Sequence, residues 1–239
     1  MGRFRRYRTA ISRHHRSGGF GIHSPFAFNF VLRVLGEKWP YYGYALISDV
    51  RSAVVEVMRR EKRHPRVISA KNAKMLFRIA NYFNPGHMLV IGTNYGISVV
   101  SVMLPSSKST VHLYEPNIGK YPVVGNVLEP FLDGIESYDN LSLCVKEYGE
   151  QLADADKPFL LVNDIPANSD FEGVRDAVFA AIDRDGVVLL RNMEKSDEMA
   201  QLWAETQAHM TVGQTFTNEK TAVVVANPKL PLQHFFLWF

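Results

Sequence analysis

Residues 87–104, HMLVIGTNYGISVVSVML, decide the fold. They read as a buried strand, a glycine-bearing turn and a helix. In an open parallel sheet, ligands bind outside the carboxyl ends of the strands where the winding reverses, and the first strand-to-helix turn lies at the centre of that site. Here the turn is Gly92-Thr93-Asn94-Tyr95-Gly96-Ile97-Ser98. A dinucleotide site needs G-x-G-x-x-G so that the backbone can approach the pyrophosphate. Counted from Gly92, the second and third glycine positions are Asn94 and Ile97, which argues against a pyrophosphate. No G-K-[ST] follows, which excludes a P-loop.

A looser turn with two glycines suits a ligand without phosphates, held by turn amides and by Thr93, Asn94 or Ser98. Roughly 20 residues further on, where a ribose-binding acid belongs, the strand in VHLYEPN ends in Glu115. A carboxylate there accepts two donors at once. The plain alternative is that Gly92 and Gly96 only permit a tight turn, and that Glu115 is a solvated acid. Turn and acid occurring in the right order favour a nucleoside site.

Outward from this unit, short apolar runs alternate with helical patterns. MLVIG, TVHLYE, LSLCV, FLLVND, GVVLLR, GQTFTN and TAVVVANP read as strands. A weaker helical segment runs to about residue 137. Helices follow with Phe171, Val174, Val178 and Ala181 on one face, and with Met199, Leu202, Trp203 and Thr206 on another. Apolar strands between amphipathic helices indicate a parallel sheet covered on both sides. Asn218-Glu219-Lys220 joins the last two strands without a helix, as an antiparallel hairpin requires. Upstream, Ser24 caps a helix that begins at Pro25, with Phe28, Val31, Leu32 and Leu35 on one face and Gly36 as its stop. A second helix covers YALISDVRSAVVEVMRREKR, and Ser69 caps a third with Leu76, Ile79, Ala80 and Phe83 aligned. The expected division is a helical extension over 1–68 and an α/β domain over 69–239.

The 239 residues, 46% of them hydrophobic, are enough for one large core without disulfide or metal staples. The one cysteine, Cys144, excludes an internal disulfide and reads as a buried structural thiol within an apolar run. No apolar stretch has the length of a membrane span, and the basic N-terminus lacks a signal peptide's apolar core. A cytoplasmic location is expected. Net charge is only +3, but MGRFRRYRTAISRHHR carries six arginines, two histidines and no acid. Such a leader offers a surface to RNA or anionic lipid. A solvated amphipathic helix is the favoured reading, because the remaining chain does not continue a phosphate track.

The chain resembles a class I S-adenosylmethionine-dependent methyltransferase, specifically a divergent member of a bacterial O-methyltransferase-like group with a helical N-terminal extension. GIHSPFAFNFV is similar to that group's N-terminal signature, and LFRIANYFNPGHMLVIGTNYGIS to its lead-in helix and cofactor loop. HLYEPN, MEKSDEMAQLWAE and the closing HFFLWF fall in matching order. The resemblance implies a Rossmann-like fold: a seven-stranded, mostly parallel sheet with a terminal antiparallel hairpin, preceded by a helical lid. It implies S-adenosylmethionine as cofactor. Gly92, Thr93, Asn94, Gly96 and Ser98 would hold the methionine part, Glu115 the ribose, and Asp164 would be general base or orienting acid.

Two departures qualify it. The family's loop acid is replaced by Val90. The metal-dependent relatives use an Asp, a role Asp164 can fill, and an Asp-Asn or Asp-Asp pair, whose last role Asn192 can fill; the middle position here is Arg191, and a guanidinium repels a cation. No metal is therefore expected, and Arg191 is a candidate partner for Asp164. The implied function is metal-independent O-methyl transfer to a small molecule. The alternative is a degenerate methyltransferase-like binding or scaffold protein.

Two further features have competing readings. His23 is either a general base or a structural histidine, and the second is favoured. No H-E-x-x-H or C-x-x-C spacing supports zinc. The aromatic LPLQHFFLWF either packs on a sheet edge, which is favoured, or serves a membrane interface or a contact between copies. Substrate identity and oligomeric state are not legible in the sequence.

Overall fold

The computed structural model describes His14 and residues 17–61, 67–120 and 122–239. The arginine-rich leader, apart from an exposed His14, lies outside the described residues, as does the His64-Pro65 stop expected for the second helix.

Eight strands form one sheet in the order β3-β2-β1-β4-β5-β7-β6-β8. They are β1 His87–Ile91, β2 Thr110–Tyr114, β3 Ile135–Tyr138, β4 Phe159–Val162, β5 Val187–Arg191, β6 Gln214–Thr217, β7 Thr221–Val225 and β8 Gln233–Phe236. β1 to β5 run parallel, and β7 enters antiparallel between β5 and β6. The hairpin expected at residues 218–220 is present, closed by Asn218 Oδ1, which accepts from the amides of Lys220 and Thr221.

Alternation along the strands divides the apolar residues between two faces. Val90, Val111, Leu161, Leu189 and Phe216 face one layer of helices: α1 Pro25–Phe30, α2 Gly43–Arg60, α3 Ala70–Phe83, α4 Ile97–Met103 and α5 Pro122–Leu128. Leu89, Ile91, Leu160, Val162 and Leu190 face the other: α6 Leu141–Gln151, α7 Phe171–Asp183 and α8 Asp197–His209. The N-terminal helices therefore share a core with the sheet.

Ser24 caps α1 as its sequence predicts, with its hydroxyl oxygen accepting from the Ala27 amide at 3.2 Å. The expected face shifts, however. Residues 31–35 form a π turn, which rotates the stripe so that Phe30, Val31, Val34 and Leu35 are buried while Phe28 is exposed. The open carbonyls at its end are taken by a buried arginine from α3. Arg78 donates to the carbonyls of Val34 and Leu35 and to the Tyr44 hydroxyl.

Two strand assignments change. LSLCV lies in α6, because Asn140 caps a helix there, accepting from the Leu143 amide at 2.9 Å. Leu141, Cys144 and Tyr148 then recur at helical, not alternating, spacing on the buried face. The third strand is the half-exposed IESY just before it, a weak edge pattern. Cys144 is buried as expected, and burial pushes its thiol up to about 12. The aromatic tail supplies the eighth strand. β8 pairs parallel with β6, and Phe216 stacks on Phe235 at 5.3 Å and packs, tilted, against Phe30 at 4.8 Å. The tail therefore covers the sheet edge, the favoured reading. No helix among the described residues is long and apolar enough to cross a membrane.

Candidate functional site

The winding reverses between β1 and β4, so the turn after β1 and the residues after β4 share one crevice at the carboxyl ends. Gly92 has φ +77°. A Cβ there would overlap the Asp164 carboxylate and stand 3.2 Å from the Asp164 carbonyl oxygen. Glycine is thus required twice, by conformation and by the acid pressed against it. Gly96, at φ +80°, leaves room for α5, since an added Cβ would lie 2.7 Å from Val127. Between them Asn94 and Tyr95 also have positive φ, at 47° and 59°. Such backbone strain persists only where its surroundings enforce it.

Glu115 points into this turn. Its Oε2 accepts from the Thr93 amide at 3.1 Å and from the Thr93 hydroxyl at 3.3 Å, and its Oε1 accepts from the Asn117 amide at 3.1 Å. A carboxylate offers about four lone-pair positions, so Oε1 retains an acceptor. Asp164 is mostly buried, and that burial, reinforced by the Glu115 charge, holds its carboxyl above the ordinary range; Lys195 and Arg191 oppose the shift.

The structure therefore brings Gly92, Thr93, Glu115 and Asp164 together. The other turn residues build the turn itself. Ser98 is fully buried and donates to the Thr93 carbonyl at 3.0 Å, and the Gly96 amide donates to the same oxygen. Asn94 Oδ1 accepts from the Ile68 amide at 3.0 Å, tying the start of α3 to the crevice. Val90 is wholly within the core.

Arg191 has a different partner from the one expected. Its Nη1 donates to Asn163 Oδ1 at 2.6 Å. Asn163 also donates to the Gly92 carbonyl at 2.6 Å, and its own carbonyl accepts from the Asn192 side chain at 2.8 Å. One buried asparagine thus joins the ends of β1, β4 and β5. Sequence reasoning passed over it; the available signal was a polar residue closing the wholly apolar run FLLV. Burial lowers the Arg191 guanidinium to about 10, which leaves it charged at neutral pH.

His23 is exposed beside Ser24, and Ser24 accepts from Gln214, at the start of β6. That position is at the amino ends of the parallel strands, away from the crevice. A cavity of about 260 Å³ also opens at that end, beside Gly86, Pro158 and Val187. It is larger than the roughly 170 Å³ pocket at the carboxyl end of β5. The smaller pocket shares Asn94 with the glycine turn and has Arg191, Lys195 and Lys220 in its wall.

The strand order, the antiparallel β7 and the acid-flanked turn after β1 define the Rossmann-like class I methyltransferase fold. Among solved structures, an O-methyltransferase from Bacillus cereus in complex with SAH aligns with TM-score 0.55 and 14% identity, over 81% of this chain and 96% of that one. Cofactor-bound Rv0187 from MTB aligns at 0.52 with 18% identity, over 75% and 90%. TomG from Streptomyces achromogenes, an O-methyltransferase of tomaymycin synthesis in complex with SAM, aligns at 0.50 with 13% identity, over 79% and 92%. At these identities the likeness establishes the fold. No family model and no curated protein matches the chain.

Proposed function

We propose that this chain is a cytoplasmic S-adenosylmethionine-dependent methyltransferase that methylates an oxygen of a small acceptor without a metal. The observation carrying this reading is the convergence of Glu115 and Asp164 on Gly92–Thr93. A pyrophosphate would meet two carboxylates there. A ligand with ribose hydroxyls and cationic sulfonium and ammonium groups meets acceptors and opposite charge. The SAH and SAM in the structural neighbours support the same ligand.

In this reading Gly92, Thr93 and Asn94 line the methionine side, Gly96 and Ser98 hold the turn in shape, and Glu115 takes the ribose. Bound S-adenosylmethionine supplies an electrophilic methyl group, so the protein's task is largely positioning. Asp164 orients the acceptor hydroxyl and takes its proton; a carboxyl held above its ordinary range is the better base for that. Arg191 stands where a cation would otherwise be ligated, which supports metal independence. The N-terminal extension, of which α1 and α2 are the described helices, serves in this reading as a lid on the catalytic domain of 69–239, and the Ile68–Asn94 hydrogen bond supports their coupling.

The test is thermal unfolding with S-adenosylmethionine and S-adenosylhomocysteine, since a ligand of the folded state stabilises it by about 2.7 kcal/mol at a hundred times Kd. A rise in melting temperature with both is expected. A scaffold reading is favoured by one observation: Asn94 and Ser98 spend their side chains on the protein's own backbone. Absence of a shift with either ligand would establish that reading instead. Calorimetric titration with Mg²⁺ tests the metal; tight binding at this site would overturn metal independence.

A further inference from the structure

The pocket of about 170 Å³ lies at the carboxyl end of β5, one strand beyond the crevice. Asn94 of the glycine turn, Ser69 and Asn72 at the start of α3, Arg191 and Lys195 after β5, and Lys220 of the hairpin contribute to its wall. Three of these six side chains are cationic. The acid beside them is Glu194, 3.7 Å from the exposed Lys220 ammonium.

Arg191 is only 3% exposed. One of its donors is satisfied by Asn163, but its Nε–H is buried without a hydrogen-bond partner. An unpaired buried N–H costs about 1–3 kcal/mol, and an unsatisfied group in a folded protein calls for a role. The fold does not use this donor, because Asn163 ties the three strand ends through Nη1 and its own amide. The amino end of the fourteen-residue α3 also opens here, capped by Ser69. Its free amides and dipole favour negative charge.

We propose that this pocket binds an anionic oxygen group, a carboxylate or a phosphate, carried by the methyl acceptor. Arg191 is its buried counter-charge, and Lys195 and Lys220 are the cations of its wall. This assignment rests on the methyl-transfer reading, and it narrows the acceptor to an acid. Guanidinium Nε–H and Nη–H present a fork matched to such groups. Asn94 places the anion site next to the turn.

The full-length protein, titrated with benzoate, phenyl phosphate or neutral benzamide in the presence of S-adenosylhomocysteine, tests this. The readout is the ¹H–¹⁵N resonance of the Arg191 Nε–H, assigned through bonds from the backbone and checked by its loss in Arg191→Lys. Either anion is expected to shift it saturably, at least about tenfold more tightly than benzamide, the worth of one charge-assisted hydrogen bond. Which of the two anions acts distinguishes carboxylate from phosphate. Lys220→Ala, an exposed change that spares the core, is expected to weaken the anion a few-fold, as removal of a partly solvated charge does.

No saturable shift with either anion, while S-adenosylhomocysteine still binds, overturns the proposal and leaves methyl transfer standing. Equal response to benzamide also overturns it. Anion binding in a protein that does not bind S-adenosylhomocysteine upholds the anion site and removes the methyl-transfer reading alone.

Discussion

The Glu115 carboxylate and Thr93 are joined twice, through the Thr93 amide at 3.1 Å and its hydroxyl at 3.3 Å. The acid at the end of β2 therefore fixes the first non-glycine residue of the turn after β1. It does so while keeping an acceptor position on Oε1.

Glu115→Gln puts an amide where one oxygen accepted, and its N–H faces a donor at Thr93 or Asn117. We expect about 1 kcal/mol of stability lost and S-adenosylhomocysteine affinity reduced about tenfold. Calorimetric titration checks both the affinity and the fold. Unchanged affinity would remove Glu115 from the ligand site.

Gly92→Ala places a methyl against the Asp164 carboxylate in a left-handed conformation. The conformation alone costs about 1–2 kcal/mol, and Asp164 must move as well. Lower urea midpoints and lost S-adenosylhomocysteine binding are expected. Wild-type affinity would show that the crevice is not used.

Asp164→Asn gives a pH signature. The folded carboxyl is held above its unfolded value, chiefly by burial. Its contribution is fully present below the unfolded value near ~3.9 and is lost as pH rises through the folded value. The variant, always neutral, is expected to be more stable than the wild type at neutral pH. That advantage should vanish in acid. Urea midpoints across pH decide it, and an advantage that grows toward acid contradicts the assignment. Methyl transfer, if Asp164 is the base, is expected to fall in the same variant by the 10²–10⁴-fold usual for general bases, about 10³.

Arg78→Met removes the buried donor shared by Val34, Leu35 and Tyr44. Two buried carbonyls lose their partner, for an expected loss of about 3 kcal/mol. Chemical denaturation measures it. A loss near zero would mean that water replaces the arginine there.

Deleting residues 232–239 removes β8 and bares the β6 edge, together with the ring that stacks on Phe216. Reduced stability and concentration-dependent association are expected, because an unpaired edge templates pairing. Sedimentation of the truncated chain checks the second effect. A stable monomer would show that the tail does not protect the edge.

The sequence by itself determined what is periodic or local. Alternating helices and apolar strands set the doubly wound sheet, Ser24 and Ser69 set helix starts, and the glycine spacing argued against a pyrophosphate. These signals are legible because the responsible groups are neighbours along the chain. It failed where local patterns are degenerate: LSLCV alternates over five residues yet belongs to the helix capped by Asn140, and a π turn rotated Phe28 outward.

Only the tertiary structure decided the partners of the site. That Arg191 bonds Asn163 rather than Asp164, that Asn163 binds three strand ends, and that an Nε–H is left facing no acceptor depend on residues 28 to 71 positions apart. Strand order sets those distances, and hydrogen bonds sense distance in space, not separation in sequence.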